Sequence, residues 1–124
     1  MRVSVDPTAH DPADPAEFVA SGTIADDICL DEDAGLAYIT THRENTIDLV
    51  PLRPNASRVC VAGEPFTEEL IGPSSAAWAR GPNDYGRVAY VSTDGGTTAP
   101  PPDGRVRPAK VLRVEFEPVT GCRP

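Results

Sequence analysis

The sequence predicts an all-β protein, and three observations carry that expectation. Gly (10) and Pro (14) together supply 24 of the 124 residues, against a usual share of roughly 12%, and helices rarely survive punctuation that dense. Apolar residues recur in short runs of period two, with no 3.6-residue stripe. Finally, Ala37-Tyr38-Ile39-Thr40-Thr41 returns 52 positions later as Ala89-Tyr90-Val91-Ser92-Thr93, so a strand-bearing unit is repeated.

Taken along the chain, the expected strands lie at 2–5, 17–20, 27–30, 36–41, 46–51, 58–62, 75–79, 87–92 and 110–116. The first ends at Asp6-Pro7, and the Asp-Pro-Ala-Asp-Pro turn at 11–15 separates it from the second. Strand 27–30 runs into an acidic turn closed by Gly35, which leads back into 36–41. Strand 46–51 stops at Arg53-Pro54-Asn55, and 58–62 stops at Gly63. Gly72-Pro73 opens the next strand, and Gly81-Pro82-Asn83-Asp84 divides 75–79 from 87–92. These residues set turn dihedrals or remove a ladder donor, so each marks a boundary for a physical reason.

The repeat suggests an architecture. Each copy of the repeated strand follows a small apolar strand (Ile28-Cys29-Leu30, then Ala76-Ala77-Trp78) and precedes an alternating one (47–50, then 111–114). The last pair is offset by 64 residues, not 52, so about 12 residues enter the later unit, visible as the Pro- and Gly-rich stretch 95–108. A four-stranded unit of about 40–50 residues is the period of a β-propeller blade. The chain is therefore expected to hold about two and a half blades in a single partial propeller. Residues 1–22 would be outer strands of a preceding blade, 23–63 one blade, and 64–124 another with the loop insertion at 95–108. Propellers close rings of about four to eight blades. Two and a half would leave open edges and faces, so the expectation is a fragment of a longer chain, or self-association through the open blade edges.

Composition narrows the partners. Eleven basic residues against 19 acidic ones give a net charge of −8, the wrong sign for a nucleic-acid binder. No apolar run approaches the roughly 20 residues of a membrane span, and the opening MRVSVDPTAHDPADP lacks the apolar centre of a signal peptide. The compartment stays open. Acidic groups crowd residues 1–35, and basic ones outnumber acidic ones over 105–124, a pattern read first as solvated loops. Cys29, Cys60 and Cys122 form neither a CxxC pair nor an even set, which argues against a disulfide framework or zinc ribbon.

The segment ADDICLDEDAGLAYITTHRENTIDLVPL (25–52), with the lead-in 2–22 and the later segment 73–93, resembles the senescence-marker/regucalcin and gluconolactonase family, with NHL-type repeats. The resemblance implies a six-bladed propeller, of which this chain would be the C-terminal part. In that family's pattern Asp26 stands at the active-site aspartate, with Asp27 at a glycine, Asp31 at a second aspartate and Gly35 at the turn. Ala25 and Asp27 depart from the lactonase Pro and Gly, and together with Thr40-Thr41-His42 they look like a fungal branch similar to hetero-Diels–Alderases of secondary metabolism. The implied activity is on a small organic molecule in the central pocket, with metal-dependent lactone hydrolysis as the alternative. A divalent cation (Ca or Zn) would belong to a full-length parent, with Asp26 as the one ligand position present here and none held by the isolated chain. A non-catalytic binding or assembly module, or an inactive truncated product, is the reading from another class.

Two residues carry the candidate chemistry. Asp26 precedes an inner strand, where a carboxylate would serve as metal ligand or general base; the structural alternative is that Asp26 or Asp27 caps a turn. His42 follows the repeated strand and would be a proton carrier in a pocket, or a turn histidine bonded to backbone. The acidic run 31–35 lacks the spacing of a calcium loop and reads as a hairpin turn. Ser74-Ser75 has no nucleophile elbow, Gly95-Gly96-Thr97-Thr98 has no phosphate-loop lysine, and His10 lies in a Pro/Asp loop. Trp78, Tyr38 and Tyr90 are expected to pack between strands.

Overall fold

The computed structural model describes residues 7, 16, 18–20, 25–63 and 67–117. Within them the fold is all-β, with seven strands and no helix: β1 (Ala25–Asp31), β2 (Leu36–Thr41), β3 (Thr46–Pro51), β4 (Val59–Ala62), β5 (Pro73–Trp78), β6 (Val88–Thr93) and β7 (Lys110–Glu115). Every strand pairing is antiparallel between chain neighbours, giving a four-stranded meander β1-β2-β3-β4 and a three-stranded meander β5-β6-β7. The expected strand at 17–20 differs: Phe18, Val19 and Ala20 form an irregular segment. Its contact is local, since Val19 O accepts one bond from Ala56 N (2.7 Å) while Val19 packs with Ala37 and Val50. The expected strand 2–5 and Cys122 lie outside the described residues.

The turns follow from their residues. Asp31 Oδ1 accepts from Ala34 N (3.1 Å) and Gly35 takes φ 68°, which closes the β1–β2 hairpin. Between β2 and β3, Asn45 N donates to Thr41 O (2.9 Å) with Asn45 in the left-handed region at φ 62°, a conformation Asn adopts more readily than most side chains. Buried Asn45 then accepts Gly72 N on Oδ1 (2.8 Å), which ties this turn to the segment entering β5.

The two sheets pack through β1 and β2 against β5. Pleating sends Cys29, Tyr38 and Leu49 to one face of the first sheet, since they stand opposite one another in the ladder. That face meets Ala76, Trp78, Ala89, Val91, Leu112 and Val114 of the second sheet, with Phe116 at the rim. Tyr38 stands edge-on to Trp78 (centroids 5.4 Å, 81°) and tilted against Phe116 (4.5 Å). Burying each of these large side chains contributes about 1.5–3 kcal/mol. Polar clasps set the register between sheets: Trp78 Nε1 donates to Leu30 O (2.7 Å), and Asp27 Oδ2 accepts from Ser75 Oγ (2.8 Å) and Ala76 N (2.9 Å). Cys29 is buried there as a free thiol whose pKa burial, aided by the Asp27 charge, pushes up to about 11.

Residues 94–109 join β6 to β7 without a strand. The loop is held by Arg107, whose guanidinium bonds both Glu68 and Asp103. Its backbone closes on itself through Arg107 N to Gly95 O (2.8 Å), with Gly95 at φ 72° so close to the Arg107 carbonyl that a Cβ has no room.

Candidate functional site

Both sheets begin with the same irregularity. The β1–β2 ladder slips between Ala25 and Asp27, and the β5–β6 ladder slips between Pro73 and Ser75. Asp26 and Ser74 are thus the extra residues of equivalent β-bulges, devices that re-aim a side chain at a strand end. The same end carries His42, the first residue after β2, and Asp94, the first residue after β6. These four, with Arg43 and Thr98, line an open cleft of about 410 Å³ between the two sheets.

His42 and Asp94 are the organised pair of this cleft. His42 Nε2 lies 2.6 Å from Asp94 Oδ2, with both side chains largely covered. Asp94 is itself fixed: its Oδ1 accepts Gly96 N (2.8 Å) and its backbone carbonyl accepts Thr97 Oγ1 (2.9 Å). Gly72 (φ 69°) makes this approach feasible, since a Cβ there would collide with the Asp94 carboxylate. Burial pushes the Asp94 pKa up, but bonds from Gly96 N and His42, the His42 charge and a bond from Thr98 together outweigh it and hold the carboxyl below its ordinary value. An imidazole held on one nitrogen by a fixed carboxylate is an oriented proton-transfer group, with Nδ1 left for a bound molecule.

Asp26 and His42 line the same cleft, and no hydrogen bond joins their side chains. Asp26 is exposed, and its carboxylate makes no hydrogen bond with a described residue. Asp27 is the structural member of the pair: bonds from Ala76 N above all, then Ile28 N and Ser75 Oγ, outweigh burial and keep its pKa below the usual value. Ser74 directs its hydroxyl to Ser92 O (3.5 Å), and no hydrogen bond joins it to His42. Among the described residues no group of three or more His, Cys, Asp or Glu side chains could hold a metal ion. Asp26 belongs to no such group among the described residues.

Two other cavities are less suited to chemistry. The larger, about 530 Å³, is walled by Arg43, Glu44, Asp48 and Arg58, but Arg58 there is bonded to both Glu44 (3.0 Å) and buried Asp48. The other, about 350 Å³ beside Tyr38, Leu49, Val114 and Phe116, is the outer margin of the packed sheets.

The sequence marks Asp94 by position only, without showing that it meets His42. Asp94 follows Thr93 as His42 follows Thr41, at the same place in the repeat. With this geometry in view, comparison with protein-family models and with curated proteins gives no match.

Proposed function

We propose that the chain is part of a β-propeller enzyme that acts on a small organic molecule held in the cleft of Asp26, His42 and Asp94. One observation carries the reading: equivalent bulge residues and equivalent post-strand residues of two repeated units converge on one cleft at one strand end. Convergence of polar groups from successive repeats is how a repeat fold builds a pocket, whereas isolated turn residues would scatter. The His42–Asp94 pair supplies proton transfer or a directed hydrogen bond, and Asp26 supplies a second acceptor at the mouth.

Between chemistries, the donor set supports the resemblance to pericyclic pocket enzymes of secondary metabolism over metal-dependent lactone hydrolysis. The former asks for shape, desolvation and a few oriented hydrogen bonds; the latter asks for several oxygen ligands on one ion. Titrating the chain with small conjugated enones and, separately, small lactones while following backbone amide shifts tests the reading. Responses gathered at Asp26, His42, Ser74, Asp94 and Thr98 are expected, with the enones binding tighter. Responses gathered at the Arg58 cavity, or none with either class, would overturn it, and selective lactone binding made tighter by Ca²⁺ or Zn²⁺ would favour the hydrolase.

A further inference from the structure

The contact between the sheets joins two different faces of the same repeated unit. Ladder register fixes the equivalences: Asp27, Ile28, Cys29 and Leu30 pair along β2 as Ser75, Ala76, Ala77 and Trp78 pair along β6. Tyr38 corresponds to Tyr90, and Ile39 to Val91. The first sheet uses its Cys29–Tyr38 face in the contact; the second uses its Ala76–Trp78–Val91 face, which corresponds to Ile28–Leu30–Ile39. An interface that pairs unlike faces leaves one of each kind unused, and such head-to-tail contacts close into rings when the rotation between units allows.

Both unused faces carry exposed large apolar side chains, with Ser75, Ser92, Arg113 and Glu115 sharing the Tyr90–Val111 face. On the second sheet Tyr90 is 48% exposed and Val111 72%, while Tyr38, the counterpart of Tyr90, is only 4% exposed. On the first sheet Ile28 is 48% and Leu30 40% exposed, whereas their counterparts Ala76 and Trp78 pack against the core. Val19 and Ala20 cover the Ala37–Val50 part of that face and leave the β1 residues open.

We propose that copies of this chain assemble head-to-tail, the Tyr90–Val111 face of one receiving the Ile28–Leu30 face of the next, as the two sheets pack within a chain. The occupant is a second copy because the internal interface already shows which face fits which. The proposal deepens the propeller reading and rests on it. Rings of about four to eight sheets close, so the two sheets among the described residues call for about two to four copies of this sequence. Tyr38 against Trp78 becomes Tyr90 of one copy against Leu30 of the next. Leucine has no indole N–H, so the bond that Trp78 gives Leu30 O inside the chain has no counterpart between copies, and the assembly dissociates on dilution.

Light scattering and native mass spectrometry of the whole chain test this. The expected result is a closed oligomer of the 13.1-kDa chain that falls to monomer on dilution. Val111→Glu spoils one face and Ile28→Glu the other, so each variant alone is a folded monomer by far-ultraviolet dichroism. Mixed, they form a 1:1 pair, because each keeps one good face of opposite kind. Tyr90→Lys and Leu30→Lys repeat the test should either first variant fail to fold. A monomeric parent, an open filament, variants that still assemble, or a mixture that stays monomeric would overturn the proposal. Cleft amides that respond to enones in a monomer would sink the assembly alone; an assembly with a silent cleft would sink the enzyme reading alone.

Discussion

At the scale of single residues, Asp94 organises the cleft. Its carboxylate is oriented by Gly96 N and meets His42 at 2.6 Å, so His42 cannot turn away without breaking a charge-assisted bond worth about 1.5–3 kcal/mol. Asp94→Asn keeps the shape and removes the charge. The ring ¹⁵N shifts of His42 are expected to change in this variant, and enone affinity to fall about tenfold, the equivalent of roughly 1.4 kcal/mol. Unchanged ring shifts would show that the pair does not hold the imidazole. Asp26→Asn, by contrast, should leave the His42 ring unchanged, because no bond links the two. His42 is a candidate from its place after a strand, and Asp26 from its place before one together with the family resemblance; the partnership of His42 with Asp94 is not legible, because it spans 52 positions and depends on two turns meeting.

At the scale of elements, the joint between β1 and β5 decides how the two meanders sit together. Trp78 contributes twice, as an aromatic edge against Tyr38 and as the donor to Leu30 O. Trp78→Phe keeps most of the apolar contact but loses the donor and leaves a carbonyl short of a partner. An urea midpoint equivalent to a loss of about 1–3 kcal/mol is expected, with the β-sheet dichroism intact; no shift would mean the bond is replaced by water at no cost. Strand boundaries were readable here because Gly, Pro and Asn mark them, and β2 and β3 fall at 36–41 and 46–51 as the alternation predicts. Residues 18–20 were not readable, because alternation over so few residues does not distinguish a ladder from a covering segment.

At the scale of the whole molecule, acid stability follows from carboxylates with lowered pKa values. Asp27 and Asp94 are held below 3.8, and Arg107 first, then Arg105 N, draw Asp103 down to about 2. Such a group binds its proton at higher pH in the unfolded chain than in the folded one, so its stabilisation is complete above about pH 4 and is lost as pH falls through the folded value. Melting temperature is therefore expected to hold steady from neutral pH to about 5 and to drop toward pH 2. In Asp27→Asn the melting temperature starts lower and the acid drop is shallower. A melting curve insensitive to acid would contradict these bonds.

The sequence by itself marks most of the described strands and the repeat, because turn residues and period-two alternation act locally along the chain, but it does not separate the irregular segment 18–20 from a strand. Only the tertiary structure decided which faces meet. It turned Tyr38 inward and Tyr90 outward, gave Asp27 to the joint and left Asp26 to the cleft, and set His42 on Asp94. Those choices depend on which surface lies across from each side chain, and two near-identical stretches such as 37–41 and 89–93 carry no mark of that until the sheets have packed.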